Sequence, residues 1–384
     1  MKDIEFKAKI IEKGKNEKGK FVVLEPGKFY PDGKGGQIGD RGFIGEAKVL
    51  FSEENNGKTL LYTDKFPERE EILCRIDGNR RHTISALHTA QHILSAVLED
   101  RFGIKTEAFH MSESTCTIDV APVSVSAETL EKAEGIANEI VFANLPVKKY
   151  YANKEETEKM NLRSKHEVSG KIRIVEIPGV DISMCGGTHV DFTGEVGLIK
   201  IVKKEKVKKQ YLRLYFTAEK RTLSYIRELS NIANAVSETL TCGVSELPEK
   251  INKMLSEIKS LKKENKNLKL NALKDIVSEL SAEKGIISER EIDFEKGDFM
   301  TLLAMLSREE SGKPFLIFSK KGKSVGIARG KNCALDLKEN FPELFDKFKG
   351  KGIVKNAFLY AEFGSKENFE NALEFARAKL KNHG

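Results

Sequence analysis

Two short segments carry side chains that can do chemistry together. "HTAQH", residues 88–92, sets His88 and His92 four apart. "MCGGTH", residues 184–189, sets Cys185 and His189 four apart, with two glycines between them. On a helix, an i, i+4 pair lies about 40° apart on one face. Taken singly, each motif has an ordinary reading: a solvated or packed histidine pair, and a tight turn with an incidental thiol. Taken together, three imidazoles and one thiolate are a donor set suited to zinc at about 2.0–2.3 Å. Glycine accepts positive φ, so a Gly-Gly turn is expected to bend Cys185 and His189 back toward one point. At most four protein ligands leave room for water or substrate. The spacing is not the CxxC pairing of a structural finger, and no Glu follows His88 as in the HExxH metalloprotease pattern.

The elements that must position these residues can be read from pattern. Residues 1–80 hold β-rich runs with glycine-rich turns, which predicts a small β-barrel. Its longest loop, "FYPDGKGGQIGDRG" (29–42), has five glycines in its last ten positions. A helix is predicted from about His82 to Asp100. Ile84, Leu87, Ala90, Ile93, Leu94, Val97 and Leu98 fill one arc, and the histidine pair, with Ser95 and Glu99, faces away from it. Residues 81–217 mix strands and helices, 218–285 read as a helical linker, and 286–384 as a compact α/β module. Ile251, Leu255, Ile258, Leu261 and Leu268 form an apolar stripe along the second linker helix. The fold class expected is α+β.

Composition narrows the function classes. The chain has 384 residues, 65 basic and 58 acidic, with a net charge of +7. No stretch of 18 apolar residues is present, so no transmembrane helix is expected. Five scattered cysteines argue against a disulfide framework and fit a reducing cytoplasm. The best electrostatic candidate for nucleic acid is 200–221, "KIVKKEKVKKQYLRLYFTAEKR", whose lysines and arginines include Lys203, Lys204 and Arg213 and alternate with Tyr211, Tyr215 and Phe216.

"HTAQHILSAV" together with "IRIVEIPGVDISMCGGTHVDFTGEVG" resembles the editing domain of alanyl-tRNA synthetases and its free-standing relatives, the alanyl-tRNA editing proteins of the AlaX group. "FHMSESTCTIDV" and "NLRSKHE" are similar to further segments of that family, and the resemblance covers roughly residues 1–220. Residues 220–384 resemble the long form's C-terminal extension, a helical linker followed by a DHHA1-like module, with its glycine signature present in part as "GKGIVKNAF". The resemblance implies one zinc ion per chain on His88, His92, Cys185 and His189. It implies deacylation of mischarged tRNA-Ala carrying serine or glycine. The barrel loop around Gly35, Gly36 and Gln37 is implied to wall the site against the terminal adenosine, with Lys34 where the family usually has a third glycine.

A site that hydrogen-bonds a serine hydroxyl rejects alanine, because alanine leaves buried polar groups unpaired. Gln91 and Thr188 lead the candidates for that contact, ahead of Thr89 and Ser85. Zinc either lowers the pKa of a water toward about 7 or anchors the substrate; the sequence leaves both open. Asp181 and Asp191 flank the CxxxH loop and read as solvated more readily than as partners of a ligand imidazole. His110 and His166 are expected near the cavity, and His82 on the far side of the helix. No ATP motif is found, so the chain is expected to correct aminoacyl-tRNA. The alternatives are an inactive RNA-binding homologue and an editor of another tRNA, such as a threonyl type. A homodimer through the linker and C-terminal module is expected.

Overall fold

A computed structural model describes residues 3–121, 124–163, 171–207 and 210–382. The chain divides into two units, Met1–Val236 and Ser237–Gly384. In the first, β1 (Ile4–Asn16), β2 (Gly19–Glu25), β3 (Gly42–Ile44), β4 (Ala47–Asn55), β5 (Lys58–Thr63) and β6 (Glu71–Ile76) close a barrel in the order β1-β2-β5-β4-β3-β6. Alternate residues point inward, so Phe6, Ala8 and Ile10 meet Val22, Leu24, Leu61 and Ile76 at its centre.

The long loop between β2 and β3 is fastened by two aspartates. Asp32 accepts from the Gly39 and Ser52 amides (2.7 and 2.9 Å) and from both terminal nitrogens of Arg41. Asp40, fully buried, accepts from the Tyr30 amide and pairs with Arg81.

Arg81 sits in the first turns of α1 (Gly78–Phe102), which starts on Asp77, whose side chain accepts from the Arg80 amide at 3.0 Å. Gly103, left-handed at φ 64°, ends it. One side of α1 packs its Leu87, Ile93, Leu94 and Leu98 on α2 (Ala127–Phe142) and on a four-stranded antiparallel sheet. That sheet runs in the order β12-β13-β8-β7, from β7 (Lys105–Met111), β8 (Cys116–Ala121), β12 (Lys200–Val207) and β13 (Tyr211–Thr217). A three-stranded sheet of β9 (Lys148–Ala152), β10 (Ile172–Ile177) and β11 (Asp181–Met184), with the short α3 (Lys154–Glu158), delivers the CxxxH segment.

The helix differs from its sequence reading in one respect. Residues 84–98 are buried all round, with Gln91 alone half-buried. The polar stripe is not a solvated face; the site covers it.

α4 (Glu219–Leu240) begins in the first unit. The second unit contains α5 (Leu247–Ala282), whose C-terminal turns bury Leu273, Val277 and Leu280 with α6 (Lys296–Leu306). A five-stranded sheet follows in the order β14-β15-β16-β18-β17: β14 (Ser288–Glu291), β15 (Pro314–Ser319), β16 (Ser324–Arg329), β17 (Lys351–Val354) and β18 (Phe358–Glu362). The short α7 (Leu337–Asn340) and α8 (Glu343–Asp346) pack in the sheet's second core with α9 (Lys366–Lys381). No helix of the described residues is long and apolar enough to cross a membrane.

Candidate metal centre and its cavity

α1 and the loop after β11 bring His88, His92, Cys185 and His189 together, with one ligand atom of each inside a sphere where all lie within 4.8 Å of one another. Cys185 Sγ is 3.3 Å from His189 Nε2 and 3.6 Å from His88 Nε2. What makes this a centre is the far side of each ring. His88 Nδ1 donates to Gln37 Oε1 at 2.7 Å. His92 Nδ1 donates to Asp181 Oδ2 at 2.8 Å. His189 Nδ1 lies 3.1 Å from Thr89 Oγ1, whose own proton goes to the Ser85 carbonyl, so that oxygen accepts. An amide, a carboxylate and a hydroxyl therefore each hold an Nδ1 proton, and all three Nε2 atoms face the sulfur. This is how metal-ligating imidazoles are fixed in tautomer and orientation.

The supports are themselves anchored. Gln37 accepts the Thr188 amide at 2.9 Å and donates to its hydroxyl at 3.1 Å. Asp181 accepts Arg163 Nε at 2.8 Å and the Ser183 hydroxyl at 3.0 Å, and Arg163 continues to Glu99 and Asp100. Arg173 donates to the Cys185 and Gly187 carbonyls, both at 2.7 Å, and clamps the loop.

Electrostatics follow from the geometry. Burial alone would raise the Cys185 thiol; hydrogen bonding to His189 and His88 reverses this and holds it far below the usual thiol range. Burial would likewise lower His92, yet its bond to Asp181 pushes it up to about 10. Burial keeps His88 and His189 below the ordinary imidazole value. Without a metal, the centre is a thiolate beside one imidazolium and two neutral rings. Such a set fits a soft-to-borderline divalent ion, which His88, His92, Cys185 and His189 would hold once His92 gave up its proton.

The Gly-Gly expectation is corrected. Neither Gly186 nor Gly187 takes positive φ. Gly187 is required for space: a Cβ there would fall 2.1 Å from His88 Cε1 and 2.8 Å from Gln37 Oε1, whereas Gly186 has nothing within 4 Å. In the barrel loop Gly36 does sit at φ 75°, and a Cβ there would lie 2.8 Å from the Phe109 carbonyl oxygen.

The centre floors a cavity of about 560 Å³. Gly35 and Gly36 line it, as do Gln91, Ser95, Thr106 and Phe109, whose ring stacks on His88 with centroids 5.2 Å apart. Gln91 Nε2 donates to Ser95 Oγ at 3.0 Å, and Thr106 donates to the same oxygen at 2.8 Å. This is the polar wall.

Several residues that the sequence puts forward sit elsewhere. Gln37 and Thr188 stand behind His88 rather than on the cavity wall. Thr89 holds His189. Asp181, expected to be solvated, is buried against His92, while Asp191 is exposed and paired with Lys149. Lys34 pairs with Glu54. Arg213 pairs with Asp119, and Lys204 donates to the Val125 carbonyl. Lys203 lies over the Tyr215 ring. His82 faces Glu195, and His110 is exposed on β7. His166, Lys208 and Lys209 lie outside the described residues. Sequence reasoning misses Arg163, Arg173, Thr106 and Phe109; apart from their place in quoted segments, nothing local marks them.

Comparison with known proteins points to one family. Residues 172–215, from β10 into β13, match the family described as the threonyl and alanyl tRNA synthetase second additional domain. The chain is 30% identical to the alanyl-tRNA editing protein AlaX-L of Pyrococcus horikoshii, over 98% of this chain and 96% of that one. It is 32% identical to the alanyl-tRNA editing protein Aarsd1-A of Xenopus laevis, over 64% of this chain, and 34% identical to the alanine–tRNA ligase of Methanopyrus kandleri, over 68%. The matched part spans 61% of the Xenopus protein and 30% of the ligase.

Proposed function

The chain belongs to the alanyl-tRNA editing protein family, and from that premise we propose that it is an aminoacyl-tRNA deacylase acting in trans on mischarged tRNA-Ala. Serine is the principal amino acid removed, and glycine the second. The observation that supports this most is the set of three imidazoles, each with its Nδ1 already held, aimed with Cys185 at one point beneath a polar cavity.

His88, His92, Cys185 and His189 would hold one zinc ion, and when bound it supplies Lewis acidity toward the ester. The remaining work falls to the chain's own residues. Gly35 and Gly36 let the terminal nucleoside approach backbone. Phe109 closes the cavity beside His88 and limits bulk water. Gln91, Ser95 and Thr106 present polar atoms to a serine hydroxyl; alanine leaves them unpaired, and the binding difference follows. A tRNA hydroxyl is an adequate leaving group, so holding the ester and a water in line provides much of the rate.

The C-terminal module is proposed to be DHHA1-like, and the protein to work in a reducing compartment, where its five free cysteines persist. The test is release of serine from Ser-tRNA-Ala by metal-replete full-length protein, with Ala-tRNA-Ala and Ser-tRNA-Thr as controls. Rapid release from the first alone is expected. No release from any would leave an RNA-binding homologue, and preference for Ser-tRNA-Thr would make it a threonyl-type editor.

A further inference from the structure

A second cavity, also of about 560 Å³, shares no lining residue with the metal cavity. It opens between the β7–β8 turn, the ends of β12 and β13, and the first two turns of α4. Its central feature is Arg221. This guanidinium is half-buried, yet among the described residues it donates only to the Ser112 carbonyl, at 3.3 Å. No carboxylate of the described residues comes within 4.0 Å of it. Burial pulls its pKa below the ordinary arginine value. A guanidinium has five N–H donors, and the carboxylates that act on this one, Glu113 and Glu219, do so from beyond 4.0 Å and are themselves paired with Arg80 and Lys220. Thr217, also on the cavity wall, keeps a buried hydroxyl with no partner among the described residues.

The rim adds two cations and two aromatic rings. Lys203 Nζ stands 4.0 Å from the Tyr215 ring centroid, and Lys220 is exposed. Tyr225 lines the α4 side. Both lysines have only long surface pairs, Lys203 with Glu205 and Lys220 with Glu219 at 3.6 Å each, whereas Arg213 and Lys204 of the same basic stretch are bonded within the fold at 2.6 and 2.7 Å. The basic stretch thus separates into residues bonded closely within the fold and residues that line a nucleotide-sized space, which Glu113 and Glu228 also line.

Guanidinium recognises phosphate through paired N–H donors, and tyrosine faces accept bases or sugars of any sequence. We propose that this cavity seats one internal nucleotide of the RNA, with its phosphate on Arg221, Lys203 and Lys220 at the rim, and its base or sugar against Tyr215 and Tyr225. The site rests on the reading of tRNA as substrate, and lies apart from the esterified end.

The test uses the full chain and uncharged tRNA-Ala transcript, followed by fluorescence anisotropy across a potassium chloride series. Arg221→Gln is expected to raise Kd about tenfold and to lower the magnitude of the log Kd against log salt slope by about one. Arg221→Lys should recover part of the affinity and the full slope. Tyr225→Leu should raise Kd without changing the slope, because stacking releases no counter-ion. If Arg221→Gln misfolds by thermal melting, the double variant Lys203→Gln, Lys220→Gln at the exposed rim should weaken binding and flatten the slope in its place. Wild-type affinity and slope in Arg221→Gln, or in that double variant, would overturn the proposal. So would loss of adenosine monophosphate binding with tRNA binding intact, which would make the cavity a free-nucleotide site. Because the probe carries no amino acid, a failure of ester hydrolysis counts against the deacylase reading and leaves this measurement standing.

Discussion

Asp181 shows what spacing conceals at the scale of one residue. Four ligands are legible because two motifs with fixed periods announce themselves. Their supports are not, because each comes from a different distance: Thr89 from the same helix, Asp181 from a strand, Gln37 from the barrel loop. An aspartate in a loop-like context reads as solvated until the fold buries it against an imidazole. Asp181→Asn keeps the shape but removes the charge facing both His92 and Arg163. It is expected to weaken zinc binding about 10- to 100-fold, as loss of such supports does. Competition with a chromophoric chelator measures this, and wild-type affinity would dissociate Asp181 from the centre. The same method tests the proton count. Cys185 is already deprotonated and His88 and His189 already neutral, while His92 is raised and must give up its proton. Metal and proton therefore compete at one ring, and affinity should rise about tenfold per pH unit between about pH 6 and 8. A slope near zero would show His92 neutral in the free protein.

At the scale of elements, the CxxxH loop teaches a different lesson. The glycine pair is visible in the sequence, but its reason is not, since sequence cannot separate a glycine kept for φ from one kept for clearance. The two positions make a matched experiment. Gly187→Ala drives a methyl into the His88 ring and the Gln37 amide, so zinc content and turnover should fall together while the circular dichroism spectrum holds. Gly186→Ala faces open space and should leave zinc content as it was. Equal zinc loss in both would place the cause in backbone flexibility. The α1 helix is legible in position but not in environment. A pattern plot assigns one face to the core and the other to water, and it has no means of representing a second buried face formed by a site.

Across the whole molecule, the barrel, α1 and the central strands of the C-terminal sheet follow from alternation and periodicity. The strands β14 and β17 leave no such trace: they are four residues long, carry charge or glycine, and occupy the two edges of their sheet. Edge strands are short and polar because continued pairing is harmful there, and that erases the signal used to find them. The long helix α5 leaves Ile251, Leu255, Ile258, Leu261 and Leu268 exposed along its first two-thirds. We expect this stripe to join two copies, and Leu255→Glu with Leu261→Glu should convert a dimer to a monomer by sedimentation velocity at micromolar concentration; a wild-type monomer would refute it. The hydrogen bond from His88 to Gln37 has a consequence for biosynthesis. The ribosome releases the barrel early and the CxxxH segment much later, so on the proposed zinc reading the growing chain would bind its ion at full strength only once both have emerged and docked. Firmness of zinc retention would then be a gauge of assembly: a protein whose barrel has come adrift is expected to lose the proposed ion to chelators before it loses its helices.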